Sequence, residues 1–334
     1  MKKKYNWAIL GCGHIARKFA HDLRLLSNAN LYAAASRDLS RAQDFANEFG
    51  VERAYGSYEE MVADPNVDVV YIATPHSHHY KHTLLCLKQK KAVLCEKAFS
   101  LNSGEVKEMI ACAKANNTFL MEAFWTGFQP SFRKAMEIVR SGELGKLKMV
   151  RSDFAFNAPV LEDKRLYNVK LGGGSLLDIG IYPVFAALTS LGVPERIKTF
   201  ADFSVTGAEE SISMIFKYPG GEMANLTSSL AAQSPTQTEY YCENGYLVLN
   251  PRWFTPTDIT VVKNGETPKV IKKEESEGAG YQYEAMHVME CLDKGWIESP
   301  EMPWKKSMEL MELLDRIRID AGISFGDRDK NLFF

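Results

Sequence analysis

A short apolar run ends in two adjacent charges near residue 96. The segment Ala92–Cys95 has the composition of a buried strand, and Glu96 and Lys97 follow it directly. Such an ending fits a strand that simply reaches the surface. It also fits a working site, because a lysine at the carboxyl end of a parallel strand can stabilise a developing alkoxide or take part in proton transfer. Glu96 is predicted to point the other way along the pleat and to support the structure.

A second pair of reactive side chains follows a glycine-rich stretch. In LGGGSLLDIGIYPV, Asp178 and Tyr182 stand four positions apart, so in an α-helix they share a face and can point into one pocket. A phenol whose pKa is lowered by a lysine cation can donate the proton that a carbonyl reduction needs. From the residues alone the alternative stays open that Tyr182 is a half-buried core tyrosine and Asp178 a partner for a nearby Arg or Lys.

A third motif is typical of a phosphate-binding turn. The residues GCGHIA, from Gly11 to Ala16, follow a predicted strand and open a predicted helix. Gly11 permits the tight turn, Gly13 lets a pyrophosphate approach the backbone, and Ala16 allows close packing of helix on strand. In this strand–turn–helix context the spacing indicates a dinucleotide-binding site.

The end of the next predicted strand bears on the choice of dinucleotide. An NAD site usually offers an acid about 20 residues after the glycines, bonded to the ribose 2′-hydroxyl. Here the strand ends in Ser36 and Arg37, and the first acid is Asp38. A hydroxyl and a guanidinium suit a 2′-phosphate, so the sequence favours NADP over NAD. The alternative is a solvated surface arginine.

The two halves of the chain have different patterns of predicted strands and helices. Up to residue 124, short apolar strands alternate with helical stretches, which predicts a doubly wound parallel sheet, a Rossmann domain, over 1–124. The strands are predicted at Tyr5–Leu10, Leu31–Ser36, Val67–Ala73, Ala92–Cys95 and Thr118–Ala123.

From residue 125 onward, longer alternating strands are joined by turn signals. These features predict an α+β domain over 125–334, built on a large, mostly antiparallel sheet with one open face. The final helices of the chain can pack back on the first domain. The later predicted strands include Thr238–Leu249 and Ile259–Ile271, and the glycine-rich stretch is predicted to open a helix.

Composition narrows the function classes. A chain of 334 residues, 46% hydrophobic and 25% charged with a net charge of −2, predicts two domains and gives no electrostatic reason for nucleic acid or membrane partners. Six scattered cysteines without a CxxC pair indicate reduced thiols in core positions. No signal peptide and no stretch close to ~20 apolar residues is recognised, so a cytoplasmic location is expected.

Taken in order, these motifs resemble the Gfo/Idh/MocA oxidoreductase family, and within it the dihydrodiol dehydrogenase-like members. The likeness is carried by GCGHIA, ATPHSHH, CEKAFSLN, MEAFWTGFQP, GGGSLLDIGIYPV and ESPEMPWKKSMELMELLDRIR. Two departures stand out: Ala98 follows Glu96-Lys97 where the family usually has proline, and Gly127 stands where relatives often have arginine.

The resemblance implies roles for individual residues. Tyr182 becomes the acid/base, Lys97 its assistant and Asp178 the group that orients the substrate, with Trp125 and Phe154 walling the pocket; core positions are the alternative for the two aromatics. The residues implied to bind the cofactor are Gly11, Cys12, Gly13, His14, Ile15, Ser36, Arg37, Thr74, Pro75, His76, His79, Glu96 and Lys97.

The histidines of ATPHSHH are not predicted to bind metal. No acid or cysteine is spaced to complete a site for His76, His78, His79 and His82, and hydride transfer between an alcohol and nicotinamide needs no metal. His82 is expected at the surface.

The sequence therefore predicts an NADP(H)-dependent oxidoreductase acting on a secondary alcohol or carbonyl of a sugar, cyclic diol or inositol-like compound, and a homo-oligomer formed through the C-terminal sheet. The alternative is a non-catalytic NAD(P)-binding sensor or regulator on the same scaffold. A regulator has no need of Lys97 and Tyr182 together, so the pair favours chemistry.

Overall fold

The computed structural model describes residues 3–162 and 164–329, and the chain divides into two units. The first contains Met1–Trp125 and Ser276–Met308, and the second contains Thr126–Glu275 and Glu309–Phe334. The chain thus leaves the first unit after Trp125 and returns to it late.

The strands are β1 (Tyr5–Leu10), β2 (Ala29–Ala35), β3 (Arg53–Tyr55), β4 (Val69–Ile72), β5 (Ala92–Glu96), β6 (Leu120–Ala123), β7 (Leu147–Ala155), β8 (Arg196–Phe203), β9 (Glu209–Lys217), β10 (Met223–Ser229), β11 (Thr238–Cys242), β12 (Gly245–Leu249), β13 (Ile259–Lys263) and β14 (Lys269–Ile271). The helices are α1 (His14–Leu23), α2 (Leu39–Phe49), α3 (Tyr58–Ala63), α4 (His76–Lys88), α5 (Ser103–Asn116), α6 (Pro130–Ser141), α7 (Ile181–Leu191), α8 (Tyr281–Asp293) and α9 (Trp304–Ala321).

The first unit is built on a six-stranded parallel sheet with the order β3-β2-β1-β4-β5-β6. All residues of β4 are fully buried, as expected for a central strand covered on both faces. This confirms the predicted doubly wound sheet. The predictions overlooked β3, which has three half-buried or exposed residues and so carries no hydrophobic pattern.

Side-chain caps begin several helices of this unit. Ser57 accepts a hydrogen bond from Glu60 N at 3.3 Å to start α3, and Asn102 accepts from Glu105 N at 2.9 Å to start α5. Both starts follow the spacing in which a polar cap precedes a glutamate by three positions. Such caps fix where each helix begins after its strand.

One carboxylate ties the returning segment to the first unit. Asp22 of α1 is 1% exposed, and its Oδ2 accepts from the backbone N–H groups of Ala279, Gly280 and Tyr281 at 2.8, 2.9 and 3.0 Å. The beginning of α8 is therefore held against α1 by charge-assisted hydrogen bonds.

The second unit is built on an eight-stranded sheet with the order β14-β13-β12-β11-β7-β10-β9-β8. Strands β7 and β10 pair in parallel, and the other neighbours pair antiparallel. This confirms the predicted mostly antiparallel sheet. Helix α7 packs against β7 and β10.

Two segments that were each predicted as one strand form two strands in the structure. The segment Thr238–Leu249 folds back at residues 243–244 into β11 and β12, and Ile259–Ile271 folds back into β13 and β14. Gly245, the first residue of β12, lies so close to Val262 of the neighbouring strand β13 that a Cβ would overlap its backbone. Each segment was predicted as one strand-like run, although Asn264-Gly265 is a turn signal inside the second.

One face of the second sheet carries exposed apolar side chains near its β8 edge. Phe200 of β8 is 81% exposed and Ile215 of β9 is 46% exposed, whereas their neighbours Thr199 and Met214 are buried. The alternation is that of a sheet with one covered face and one open face.

The stretch Val169–Leu191 corrects the expectation that nothing approaches a membrane span. It has the length and apolar composition of a spanning helix, with a mean hydropathy of 1.4 over its most apolar window. Of that window, 94% is buried inside the fold. Such burial is typical of a core segment of a globular protein.

The six cysteines are all free thiols in the structure. Four are buried, and Cys112 and Cys242 are partly buried. This placement agrees with the expectation of unbridged thiols.

Candidate active site

The GCGHIA turn has the shape that its glycines predict. Gly11 has φ of 99°, and a Cβ there would lie 2.8 Å from Thr74 Cγ2. Its N–H donates to Ala35 O at 3.0 Å, and Gly13 N donates to Gly11 O at 2.9 Å. The turn therefore brings the ends of β1, β2 and β4 together at one edge of the sheet.

The N-terminus of α1 opens onto this turn. Unlike α3 and α5, α1 has no side-chain cap: Gly13 occupies its N-cap position, and its first turn contains no acid. A Cβ on Gly13 would find only Ala73 O within 4 Å, at 3.9 Å, so the backbone there is open to a ligand. A helix start without a side-chain cap, its positive dipole end and an unobstructed glycine fit the pyrophosphate of a dinucleotide.

The side chains around the turn differ in exposure. His14 is exposed and Ile15 is partly buried, whereas Cys12 is buried and its thiol faces Ala35 O at 3.5 Å. Burial raises the pKa of Cys12 to about 11, although the cations Arg17 and Arg41 oppose the shift. The thiol is thus neutral and adds no negative charge to a phosphate site.

The end of β2 carries arginines and an occupied acid. Ser36 is buried, Arg37 and Arg41 are exposed, and Asp38 caps α2 by accepting from Ser40 N at 2.9 Å. Hydrogen bonds from Ser40 lower the pKa of Asp38. Sequence reasoning missed Arg41, which lies in the first turn of α2.

The loop after β4 is held by His79. Its Nδ1 faces Ala98 O at 2.8 Å and its Nε2 faces Thr74 O at 2.7 Å. Burial lowers the pKa of His79 to about 4, so the ring is neutral and donates to one of the two carbonyls. Pro75 precedes α4, whose first residue, His76, is buried with its ring edge-on to His79.

His82 is not a surface residue as expected. It is partly buried, its Nδ1 lies 3.0 Å from Thr74 Oγ1, and its ring packs edge-on against Tyr58. Burial lowers the pKa of His82 to about 4. Among the described residues no group of His, Cys, Asp or Glu has the geometry to hold a metal ion.

Lys97 follows β5 directly at the carboxyl edge of the parallel sheet. Its side chain is partly buried, its N–H donates to Glu96 Oε2 at 3.2 Å, and its peptide bond to Ala98 is cis. Glu96 is buried and accepts a hydrogen bond from the phenol of Tyr71.

Two further buried carboxyls lie in this unit and were not predicted. Glu122 of β6 accepts from Phe99 N at 3.1 Å, and burial raises the pKa of Glu122 to about 7. Glu284 of α8 is fully buried, and burial together with the negative charge of Glu96 raises its pKa far above the usual range. Nothing local in the sequence signals them, because each is buried by residues distant in the chain.

Trp125 is the last residue of the first segment of the first unit. It is 4% exposed and stacks on Tyr281, with ring centroids 4.2 Å apart and planes 8° from parallel. Its predicted role in a substrate wall stays a prediction.

In the second unit, Asp178 and Tyr182 lie on different kinds of helix. Leu176–Gly180 forms a π-helical turn, and the α-helix begins only at Ile181. The expectation that both residues share one α-helix face is therefore wrong. Asp178 pairs with Arg165, whose Nη1 lies 2.6 Å from Asp178 Oδ1, so the alternative of an arginine partner is realised.

Tyr182 sits among aromatic rings, which together form an aromatic cluster of Phe154, Tyr182, Trp253 and Phe254. The Tyr182 ring centroid lies 5.4 Å from Phe154, 5.5 Å from Phe254 and 6.4 Å from Trp253, and the Phe154 and Phe254 rings stack at 4.3 Å. Tyr182 is 6% exposed. A phenol in such surroundings keeps its hydroxyl as a polar point in an apolar wall.

Sequence reasoning missed Trp253 and Phe254. They follow β12 in the loop PRWFTP, and Trp253 Nε1 donates to Asp153 O at 3.2 Å while Thr126 Oγ1 donates to Phe254 O at 3.0 Å. Adjacent aromatics after a strand were the available signal, but they were not distinguishable from core residues.

Comparison with protein families matches both halves of the chain. Residues 5–124 match the oxidoreductase family with the NAD-binding Rossmann fold, and residues 132–248 match the GFO/IDH/MocA C-terminal domain.

Curated relatives extend over nearly the whole chain. The trans-1,2-dihydrobenzene-1,2-diol dehydrogenases of Mus musculus and Homo sapiens are 39% and 38% identical to it, covering 96% of this chain and 97% of each relative.

Solved structures share the fold. An aldose-aldose oxidoreductase from Caulobacter crescentus, complexed with glycerol, superposes with a TM-score of 0.87 at 24% identity, and a 3-ketoreductase from Actinomadura kijaniata, in complex with NADP and TDP-benzene, with 0.86 at 23%. Each comparison covers 96% of this chain and 98% of the other. Because both halves match one family and curated relatives cover nearly the full length, this chain belongs to the Gfo/Idh/MocA family of NAD(P)-dependent oxidoreductases.

Proposed function

We propose that this enzyme uses NADP(H) to interconvert a secondary alcohol and a carbonyl on a cyclic diol or sugar, with Tyr182 as the acid/base. The observation that carries the proposal is the aromatic cluster, which surrounds one phenol with three apolar rings. An apolar wall with a single proton donor suits a ring-shaped substrate that presents one reacting oxygen. Two relatives named as dehydrogenases of a cyclic diol support the same substrate class.

The proposed chemistry divides among three residues. When bound, the nicotinamide cofactor supplies or takes up the hydride. Tyr182 donates the proton to the carbonyl oxygen during reduction and accepts it during oxidation. Lys97, at the carboxyl end of β5, assists the proton transfer, the role that the family resemblance implies for it. Asp178, kept in place by Arg165, accepts a hydrogen bond from a substrate hydroxyl.

The preference for NADP(H) rests on the end of β2. Ser36, Arg37 and Arg41 present a hydroxyl and two cations, and the one acid of this segment, Asp38, is engaged as the cap of α2. A 2′-phosphate carries about two negative charges, so it gains from this environment. NAD, which lacks the 2′-phosphate, gains less.

The non-catalytic sensor is not favoured by any observation at the site. Family membership and relatives named as dehydrogenases support an enzyme.

The proposal is tested by incubating the protein with NADP(H) or NAD(H) and a panel of cyclic diols, sugars and their ketones. Absorbance of the reduced cofactor gives the rate. We expect turnover with cyclic diols or sugars. We also expect half-maximal rate at a lower concentration of NADP(H) than of NAD(H). Tight NADP(H) binding without turnover of any panel member contradicts the proposal.

Tyr182→Phe isolates the acid/base. We expect kcat to fall by about 1000-fold with cofactor affinity unchanged, since one proton-transfer group contributes about 10²–10⁴-fold. Tyr240→Phe is the matched control, because Tyr240 is a fully buried tyrosine of the same unit whose hydroxyl has no hydrogen-bond partner among the described residues. Full activity of Tyr182→Phe removes Tyr182 from the mechanism.

We also propose that two copies associate through the open face of the second sheet near Phe200 and Ile215. Exposed apolar side chains on a sheet face support it. Phe200→Lys is expected to lower the molar mass measured by light scattering to that of a single chain, and an unchanged mass in that variant rejects this face.

A further inference from the structure

A buried carboxylate stands at the start of the π-helical turn that leads to Tyr182. Glu209, the first residue of β9, is 2% exposed. Its Oε1 accepts from the Ser175 hydroxyl, and its Oε2 accepts from Leu176 N at 3.0 Å. Ser175 Oγ also lies 2.8 Å from Ser228 Oγ of β10. The turn that carries Asp178 is thereby fastened to two neighbouring strands.

The glycines of this stretch make room for the arrangement. A Cβ on Gly174 would lie 2.7 Å from Glu209 Oε2, and a Cβ on Gly180 would lie 2.6 Å from Ser228 Oγ. A side chain at either position would displace the carboxylate or the serine. The glycine-rich sequence is therefore matched to Glu209 and not only to a sharp turn.

Such a carboxylate is costly to bury. Burial raises the pKa of Glu209 to about 7, and the hydrogen bonds from Ser175 and Leu176 oppose the shift without cancelling it. In the described part of the chain, the groups that oppose the shift are a hydroxyl and backbone N–H groups, and none of them is charged. An apolar residue of similar volume would avoid the cost, so the position is better explained by what the carboxylate holds.

We propose that Glu209 is a positioning residue for the reaction, holding through Ser175 and Leu176 the π-helical turn in the register that presents Tyr182 to the substrate. This rests on the proposed function of Tyr182. The hydrogen bonds of a π-helix span one residue more than those of an α-helix. Releasing the first residues of this turn therefore allows it to rewind and to shift the side chains at the start of α7, Tyr182 among them. Displacement of a proton donor by about 1 Å costs about 100-fold in rate.

The experiment combines two substitutions at Glu209 with Tyr182→Phe. Glu209→Leu removes both hydrogen bonds at similar volume, and we expect kcat to fall about 100-fold while the Kd for NADPH, measured by fluorescence, is unchanged. Glu209→Gln retains both contacts if the Ser175 and Ser228 hydroxyls reverse direction, because its amide donates to Ser175 and its oxygen accepts from Leu176. We expect that variant to keep kcat within about threefold, a rescue that depends on hydrogen bonding and not on charge.

The double variant separates positioning from general stability. If Glu209 acts through Tyr182, adding Glu209→Leu to Tyr182→Phe lowers the residual kcat by less than about threefold. A further loss of about 100-fold in that background, or full kcat in Glu209→Leu alone, overturns the proposal. Full kcat in Tyr182→Phe overturns the proposed function and this inference together, and is thus distinguishable from failure of Glu209 alone.

Two controls keep the outcome decisive. Asp315→Asn changes a buried acid of the same unit that pairs with Arg318 at 3.3 Å, and it is expected to lower Tm with kcat retained. If Glu209→Leu does not fold, Ser175→Ala takes its place, since it removes one hydroxyl and leaves Leu176 N bonded. An unchanged kcat in Ser175→Ala, with Tm lowered as in Asp315→Asn, then assigns Glu209 a structural role only and overturns the proposal.

Discussion

The phosphate-binding turn of the first unit and the aromatic cluster of the second are built from different materials. The turn is made of backbone: a glycine at positive φ, an open glycine and an uncapped helix end. The cluster is made of side chains that come from one strand, one helix and one loop, which are distant from one another in the chain. A site formed by the backbone needs only a few adjacent residues and can bind any dinucleotide. A site formed by side chains is assembled from residues distant in the chain and can be specific for one substrate.

The strongest test of this contrast is Gly11→Val. A β-branched residue at φ of 99° is strained, and its side chain would meet Thr74, so the turn must move. We expect the Kd for NADPH to rise about 1000-fold, because hydrogen bonds to a charged group are worth about 1.5–3 kcal/mol each. Calorimetric titration measures it. An unchanged Kd in a folded variant would mean that the turn does not hold the cofactor.

A pH series on Glu122→Gln tests whether the first unit also depends on a buried acid. The pKa of Glu122 is raised from 4.5 to about 7, so its stabilising contribution is complete below pH 4.5 and is lost as pH rises through 7. The free energy of unfolding of the wild type, relative to the variant, should fall by roughly 3 kcal/mol between pH 4.5 and 8.5. Urea denaturation at each pH measures it. The exposed Glu137→Gln should show no such trend, and a flat difference for Glu122 rejects the shifted pKa.

Arg165→Leu tests how far the second site depends on side-chain support. Without the 2.6 Å ion pair, Asp178 loses its fixed orientation, and we expect kcat/KM to fall about 30-fold with the NADPH Kd unchanged. Steady-state kinetics with the best panel substrate measures it. Arg133→Leu, a change at an arginine on α6, serves as the matched control. Equal effects of the two changes would remove Asp178 from substrate orientation.

The smallest expected effect is a change of cofactor preference. Arg37→Glu places an acid where the 2′-phosphate is proposed to lie, and we expect the ratio of kcat/KM for NADP to that for NAD to drop about tenfold. The same substitution at Arg41 should act in the same direction. A ratio that does not change would show that the end of β2 does not choose the cofactor.

The contrast also explains what the sequence could predict. The parallel sheet, the GCGHIA turn and Lys97 at a strand end follow from local patterns, so they were predictable. The π-helical turn was not, because the α-helical spacing of Asp178 and Tyr182 gives no sign of a wider turn. The positions of Phe254, Glu209 and Glu284 were also not predictable. Each of these residues contacts partners far along the chain, and a single sequence does not reveal such contacts.

The three hydrogen bonds that Asp22 accepts have a consequence for the order of synthesis. A ribosome makes residues 1–125 first, but the donors to Asp22 and the ring that stacks on Trp125 arrive only with residues 279–281. Leu120, in the edge strand β6, likewise waits for Ile297 O and the Trp304 indole. The nascent first unit is therefore incomplete when it leaves the ribosome. The Asp22 carboxylate and the edge strand β6 lack these partners until the whole second sheet has been translated.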